Sequence, residues 1–170
     1  MQRIWAPWRK AYIRPEGRKT KGCLFCGLWT KNRDSQNYIL KRTASSFAVL
    51  NLYPYNTGHT LIVTKRHVDS IRLLTAEEIL DWIYLYEEIR LAIQKTMKPH
   101  GFNVGINLGK VSGSGIPDHL HLHVVPRWIG DSNFMPLIGG TKVISESLCS
   151  VYRAITGYFR KKPRIRRGAT

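Results

Sequence analysis

The feature that most constrains the fold of this chain is the heptapeptide HLHLHVV at residues 119–125. Histidine alternates with apolar residues, and a period of two is the signature of a β-strand with two different faces. The apolar residues, which we expect to face a core, are Leu120, Leu122 and Val124. The residues expected on the opposite, polar face are His119, His121 and His123. Packing gives no reason for a row of three imidazoles, so the pattern predicts a functional site.

Other segments predict the rest of an antiparallel sheet. Residues 46–51 and 59–64 are rich in β-branched residues and flank the turn-forming sequence PYNTG, which predicts a β-hairpin. Residues 102–108 alternate apolar side chains with asparagine and glycine, which predicts a strand with one buried and one open face. The side chains predicted to be buried there are Phe102, Val104, Ile106 and Leu108.

Two segments show helical periodicity. Thr75 and Glu78 have the spacing of a capping box, and apolar residues recur at helical spacing from there to Met97, before Pro99 and Gly101. A second, C-terminal helix is predicted over residues 146–159. The chain is therefore predicted to have an α+β fold: an antiparallel sheet with one long helix and a C-terminal helix.

Composition indicates a single domain whose partner is an anion. The chain has 170 residues, a net charge of +16 and a pI near 10.2, which favours nucleotides, RNA or anionic lipid as partners. Much of the charge lies in a basic arm at residues 1–22 and a basic tail at 160–170, with the domain between them at 23–159. No apolar run approaches the ~20 residues of a membrane span, and the start lacks the features of a secretory signal, so we expect a cytoplasmic location.

The loop before the histidine row, residues 107–115 (NLGKVSGSG), is rich in glycine and serine. Small residues let backbone N–H groups approach an anion, and serine hydroxyls add donors, so the loop resembles a phosphate cradle; a plain flexible loop is the alternative. The histidine row itself fits either a metal site or a nucleophile that attacks phosphorus.

The remaining cysteines and histidines are less informative. Cys23 and Cys26 form a CxxC pair that fits a redox pair, half of a zinc site or two inert thiols. Cys149 is predicted to lie in the core. His59 is expected to pack or hydrogen-bond within the hairpin, and His100 is expected in an exposed turn.

Taken together, these motifs resemble the histidine triad (HIT) superfamily of nucleotide hydrolases and transferases. The HLHLHVV signature, the upstream hairpin sequences FAVLN and GHTLIV, and the sequences VPRW and GDSNFM carry the resemblance. The last two, with WAPWR and GCLFC near the start, are similar to the branch that contains diadenosine tetraphosphate phosphorylases and hydrolases. The resemblance implies a HIT-like fold, commonly paired into a homodimer.

The resemblance also implies a role for each site residue. His121 would attack the α-phosphorus and form a covalent nucleotidyl-histidine, with the backbone carbonyl near His119 accepting its other N–H. His123 would contact the phosphate and assist the leaving group, and Asn51 would lie at the nucleoside. The residues that would hold the phosphate oxygens are Asn107, Ser112, Gly113, Ser114 and Gly115.

A structural zinc ion is a further implication of the resemblance. Related proteins bind zinc through a CxxC pair, a histidine after the second hairpin strand and the first histidine of the row. The corresponding residues are Cys23, Cys26, His67 and His119. Such a four-ligand ion has no open position and would not be catalytic.

One departure from the family pattern bears on the reaction. Ser114, Gly115 and Ile116 stand where many members have Gly-Gln-Thr or Gly-Gln-Ser, which modestly favours the phosphorylase-like branch. Water, inorganic phosphate or a sugar phosphate could each accept the nucleotidyl group. Two other classes stay open: a basic nucleotide- or RNA-binding module that does no chemistry, with nucleic acid held by the basic ends, and a metalloenzyme with metal on the three histidines.

Overall fold

The computed structural model describes residues 22–31, 33–132 and 143–161. Nearly all of the predicted basic arm and tail, and the GDSNFM motif from residue 133 onward, lie outside the described residues. Within the described part of the chain, no helix is both long enough and apolar enough to cross a membrane.

Five antiparallel strands form one sheet in the order β1-β2-β3-β5-β4. The strands are β1 (Ile39–Arg42), β2 (Ser46–Leu50), β3 (Thr60–Thr64), β4 (Gly101–Ile106) and β5 (His121–Arg127). The predicted hairpin is β2–β3, which pairs Ser46 with Thr64 and Leu50 with Thr60. The histidine row lies at β5, between β3 and β4. β1 was not predicted from the sequence.

In the described residues, three helices accompany the sheet: α1 (Leu24–Thr30), α2 (Ala76–Met97) and α3 (Leu148–Lys161). The predicted capping box is present, since the Thr75 side chain accepts from the Glu78 backbone and Glu78 bonds back to Thr75. Short 3₁₀ turns occur at Ile71–Leu73 and Lys110–Ser112. The α+β fold, with its antiparallel sheet, long helix and C-terminal helix, is confirmed.

The main core lies between α2, α3 and one face of the sheet. It contains the apolar residues of the histidine strand together with Leu85, Ile89 and Ile93 of α2 and Val151 and Ile155 of α3. The Trp82 indole N–H, buried in this core, donates to the carbonyl of Ile62 at 2.8 Å and so ties α2 to the central strand β3.

The opposite face of the sheet, which carries the histidines, is covered rather than open. Phe25 of α1 packs there in a second apolar cluster with residues of β1, β2 and β3. The expectation of an open histidine face is therefore wrong, because the seven-residue helix α1 folds back over it. His121 and His123 are only 5% and 8% exposed.

Three predicted burials are also wrong. Val104 is exposed because β4 is an edge strand of the sheet, and Leu108 is exposed beyond the end of β4 at Ile106. Cys149 is exposed because it lies two residues before Val151, and two residues are ~200° apart around a helix. It therefore points away from the buried stripe of α3.

Truncation of the α2 core side chain Leu85 tests the packing of this helix. Leu85 is 0% exposed, so Leu85→Ala is expected to lower the free energy of unfolding by about 2–5 kcal/mol. Leu80 lies on the same helix but is 54% exposed, so Leu80→Ala should change that free energy by less than about 0.5 kcal/mol. Denaturant unfolding of both variants measures the difference, and equal losses would contradict the described packing.

Candidate active site and metal cluster

His121 occupies the centre of the site, with its ring held in one orientation. Its Nδ1–H donates to the backbone carbonyl of His119 at 2.8 Å, which confirms the predicted hydrogen bond. Because burial lowers the pKa of His121, the ring is neutral at pH 7. The tautomer protonated at Nδ1 leaves an unprotonated Nε2, which is the atom able to attack an electrophile.

His59 contacts β5 as well as residues of its own hairpin. Its Nδ1 accepts the backbone N–H of Tyr55 at 3.0 Å and lies 3.3 Å from the side-chain amide nitrogen of Asn51. A nitrogen that accepts from a backbone N–H carries no proton, so neutral His59 is protonated at Nε2. That Nε2 lies 2.9 Å from Nδ1 of His123 and donates to it.

This contact fixes the proton on His123 as well. Since Nδ1 of His123 accepts from His59, the neutral ring of His123 carries its proton at Nε2. The Asn107 side-chain nitrogen lies 3.4 Å from this Nε2, and a half-turn of the amide lets its oxygen accept the proton. His123 therefore presents an N–H donor beside the unprotonated nitrogen of His121, whose ring centroid lies 5.0 Å away.

Burial keeps the rings in these neutral forms. Desolvation, with the neighbouring His123 and His121, lowers the pKa of His59 to about 3. Desolvation, with His121 beside it, lowers the pKa of His123 to about 4. The chain of hydrogen bonds from Tyr55 through His59 to His123 is thus intact at neutral pH.

A cavity of about 340 Å³ opens in front of His121 and His123. Its walls are mostly apolar, and the apolar side chains come from α1, β2, the segment after β2, β3 and the loop before β5. They include Leu24, Phe25, Leu28, Val49, Leu52, Leu61 and Ile116. Asn51 lies at its edge with a fixed amide, whose oxygen accepts the N–H of Tyr53 at 3.0 Å. An apolar slot with a few placed polar groups suits a nucleoside.

A second, smaller cavity of about 220 Å³ lies on the other side of His123, above strand β4. Its polar lining includes Asn103 and Asn107 of the β4 segment, and Tyr55 stacks on the His123 ring with centroids 5.9 Å apart. Gly105 lies directly opposite His123 in the β4–β5 pairing. A Cβ atom at Gly105 would meet nothing within 4 Å, so the space above it is open.

The glycine- and serine-rich loop contributes less to the first cavity than its composition predicted. Gly115 lines the cavity, but Ser112 donates its hydroxyl to Gly109 and Ser114 accepts the N–H of Ile116. Gly113 adopts φ of 84°, a left-handed conformation that glycine tolerates, at the end of the 3₁₀ turn. The two hydroxyls therefore hold the loop's own backbone.

Four side chains gather at the N-terminal end of α1. The ligand atoms of Cys23, Cys26, His67 and His119 all lie within 4.8 Å of one another. His119 Nδ1 is 3.2 Å from His67 Nδ1 and 3.3 Å from Cys23 Sγ. A tetrahedral zinc ion with standard bond lengths separates two nitrogens by about 3.3 Å and nitrogen from sulfur by about 3.5 Å. The spacing therefore fits such an ion.

The hydrogen bonds of His119 agree with a ligand role. Its Nε2–H donates to the carbonyl of Thr64 at 2.7 Å, which leaves Nδ1 unprotonated toward the cysteines. Both nitrogens of the His119 ring are thus engaged away from the first cavity. His119 meets His121 only through its backbone carbonyl and not through its ring.

Arg42 holds the other end of α1. Its guanidinium donates to the carbonyls of Leu28 and Trp29, both at 2.9 Å, and forms an ion pair with Asp34 at 2.7 Å. These contacts satisfy carbonyls that the end of a helix leaves without partners. Since α1 supplies one wall of the first cavity, Arg42 and the four-residue cluster together fix the position of that wall.

Comparisons with known proteins assign this chain to a family. Residues 32–128 match the HIT domain. A curated relative, the AP-4-A phosphorylase of Mycobacterium tuberculosis strain H37Rv, is 36% identical over 170 residues, which cover 96% of this chain and 87% of the relative. The chain therefore belongs to the HIT domain family.

Two further comparisons are consistent with this assignment. The bis(5'-nucleosyl)-tetraphosphatase [asymmetrical] of Schizosaccharomyces pombe is 33% identical over 89 residues, 52% of this chain and 48% of that protein. The crystal structure of a Zn-bound histidine triad family protein from Mycobacterium smegmatis has a TM-score of 0.66 at 23% identity. It covers 82% of this chain and 94% of that one and supports the fold.

The three tautomers predict an NMR result. At pH 7, His121 should be protonated at Nδ1, whereas His59 and His123 should be protonated at Nε2, because each has a defined donor or acceptor partner. Long-range ¹H–¹⁵N correlation spectra distinguish the two forms. His59 and His123 should stay neutral as the pH falls to 5, since their pKa values lie near 3 and 4. A proton on Nδ1 of His123 would contradict the chain of donors.

Proposed function

We propose that this protein is an enzyme, a nucleotidyl hydrolase or transferase that cleaves dinucleoside polyphosphates or related nucleotides at the α-phosphate. One observation carries the proposal: His121 is locked in the tautomer that leaves Nε2 unprotonated at an apolar cavity, with the His123 N–H donor beside it. The name of the M. tuberculosis relative, AP-4-A phosphorylase, supports the substrate class.

In the first step, Nε2 of His121 attacks the α-phosphorus of a nucleotide whose nucleoside lies in the first cavity. A P–N bond forms, and the bond from phosphorus to the bridging oxygen of the leaving polyphosphate breaks. His123 donates a hydrogen bond from Nε2–H to that oxygen, which leaves as the polyphosphate anion, and the His119 carbonyl stabilises the charge that develops on the His121 ring. Asn107 can support the tautomer of His123 that makes this hydrogen bond possible.

In the second step, an acceptor oxygen attacks the same phosphorus and the P–N bond breaks. His123 keeps its Nε2 proton and hydrogen-bonds the acceptor, any proton that the acceptor loses passes to solvent, and His121 regains its lone pair. Water as acceptor yields a nucleoside monophosphate, whereas inorganic phosphate yields a nucleoside diphosphate. We propose this covalent mechanism for either acceptor, with Asn51, Gly115 and the 112–115 backbone at the nucleotide.

Replacement of His121 tests the nucleophile. His121→Ala removes the attacking nitrogen, so turnover of diadenosine tetraphosphate should fall by about 10³-fold or more, while the unfolding transition stays cooperative. His100→Ala is the matched control, because His100 is exposed and its ring accepts only the N–H of Ile129. Product analysis by mass spectrometry provides the readout. Cleavage by a folded His121→Ala protein at the wild-type rate would refute the proposal.

We further propose that the four-residue cluster binds a structural zinc ion. Two thiolates and two imidazoles form a closed Cys₂His₂ set, and zinc prefers these ligands in tetrahedral geometry. The ion would supply a cross-link between α1, the segment after β3 and the residue that precedes β5. His119 would then be held at both ring nitrogens, so its carbonyl stays in place for His121.

Metal analysis tests the zinc proposal. The purified protein should contain about one zinc per chain, and Cys26→Ser should lose it, because three ligands bind zinc far more weakly than four. Cys149→Ser should keep the full zinc content, since Cys149 is exposed and outside the cluster. Zinc loss from the Cys149 variant, or full zinc content in the Cys26 variant, would contradict the proposed ligand set.

We propose that the HIT domain spans residues 23–159 between a basic arm and a basic tail, and that the protein acts in the cytoplasm. A homodimer is supported by the outer edge of β4 and by exposed apolar side chains, notably Val104 on β4 and Ile83 and Tyr84 on α2. Edge strands with such surfaces are favoured sites of pairing between chains.

A further inference from the structure

The second cavity has no role in the steps described so far. It lies on the same face of the sheet as the histidines, because Gly105 pairs with His123 and Asn103 pairs with Val125. His121 borders the first cavity alone, whereas His123 borders both. The ring of His123, which donates the hydrogen bond to the leaving oxygen, therefore stands between the first and second cavities.

Asn103 in this cavity is held in a defined orientation. Its side-chain oxygen accepts a hydrogen bond from Nη1 of Arg127 at 2.6 Å. Arg127 is in turn fixed by Asp131 through two contacts, at 2.5 Å from Nε and 2.9 Å from Nη2. Asp131 also accepts from Asn56 at 2.7 Å. With its oxygen committed to Arg127, Asn103 turns its NH₂ group, which can only donate, away from the guanidinium.

The lining of the second cavity suits a phosphoryl group. The cavity has two amide side chains, an N–H donor on His123 and a glycine floor beside Tyr55, Val104 and Val125, and its described lining contains no carboxylate. Phosphate oxygens accept several hydrogen bonds, and neutral donors bind them without the desolvation cost of a buried cation. Its volume of about 220 Å³ admits a phosphate group or the end of a polyphosphate chain.

We propose that the second cavity is the phosphate subsite for both halves of the reaction, with Asn103 as a binding residue positioned by Arg127. The proposal rests on the proposed function. A leaving group departs on the side of phosphorus opposite the attacking nitrogen, and the acceptor later attacks from that side, so one subsite serves both. The leaving polyphosphate occupies it first, and inorganic phosphate occupies it in the second step.

This subsite bears on the choice between water and phosphate as acceptor. An amide donor at Asn103 retains phosphate beside the nucleotidyl-histidine, where its oxygen can form the new bond to phosphorus. Loss of that donor leaves water as the competing acceptor. The ratio of nucleoside diphosphate to nucleoside monophosphate therefore reports on the second cavity alone, because both products arise from the same intermediate.

Asn103→Asp tests the subsite with little change in shape. The aspartate keeps an oxygen for Arg127 but replaces the NH₂ donor with a negatively charged oxygen, which repels phosphate. At a fixed phosphate concentration, the diphosphate to monophosphate ratio should fall by about 10-fold or more. Gln36→Glu, which makes the same charge change at the first cavity, should leave that ratio unchanged because the nucleotide is common to both products.

A second substrate distinguishes binding of the leaving polyphosphate from binding of the acceptor phosphate. The p-nitrophenyl ester of AMP has a leaving group without phosphate, so Asn103→Asp should not change its first-turnover rate. The KM for diadenosine tetraphosphate should rise about 10-fold with the same variant. An effect on the product ratio identifies the acceptor phosphate, and an effect on the KM identifies the leaving polyphosphate.

Different experimental results would overturn the proposed function and the proposed subsite. If the wild-type protein shows no cleavage that depends on His121, the proposed function is wrong, and the subsite falls with it. If the wild-type protein cleaves diadenosine tetraphosphate but Asn103→Asp matches it in both product ratio and KM, the subsite alone is overturned. The unfolding midpoint of the variant confirms that the comparison is made on folded protein.

Discussion

The hydrogen bond from His121 to the carbonyl of His119 is the interaction on which the rest of the site depends. It selects the neutral form of His121 whose unprotonated Nε2 lies at the first cavity. The carbonyl that accepts this bond belongs to a residue whose own ring is held at both nitrogens, by the carbonyl of Thr64 and by the cysteine cluster. The four-residue cluster and the candidate nucleophile are therefore joined by one short segment of backbone.

The chain of hydrogen bonds on the other side of His121 is fixed in the same way. A backbone N–H cannot change its role as a donor, so Tyr55 determines the tautomer of His59, and His59 determines that of His123. Burial lowers the pKa values of both rings and prevents a second proton from reversing the order. The chemistry of the site is thus specified by main-chain groups, which side-chain substitutions elsewhere do not alter.

Much of this arrangement could be predicted from local sequence. The alternation of HLHLHVV placed three histidines on one face of a strand, and the Thr75–Glu78 spacing located the start of the long helix. His59 was underestimated because its contact with His123 depends on the pairing of β3 with β5, which local sequence does not reveal. The sequence did contain a signal: His59 lies two residues before Leu61, and residues two apart in a strand lie on the same face.

Other features follow from tertiary contacts and could not be predicted. The seven residues of α1 are too few to form a stable helix alone, and their position over the histidines depends on Arg42 and on the cysteine cluster. The exposure of Val104 follows from the place of β4 at the sheet edge. Cys149 was misplaced because the apolar stripe of α3 is narrower than its sequence suggested.

Arg42 constrains the length of the connection between α1 and β1. Its guanidinium reaches Leu28, Trp29, Lys31 and Asp34, so a single side chain spans the start and the middle of this connection. An insertion or deletion between residues 31 and 38 would break this register and move the α1 wall of the first cavity along the sheet. The width of the first cavity therefore depends on this connection, which also contributes Gln36 and Asn37 to the cavity lining.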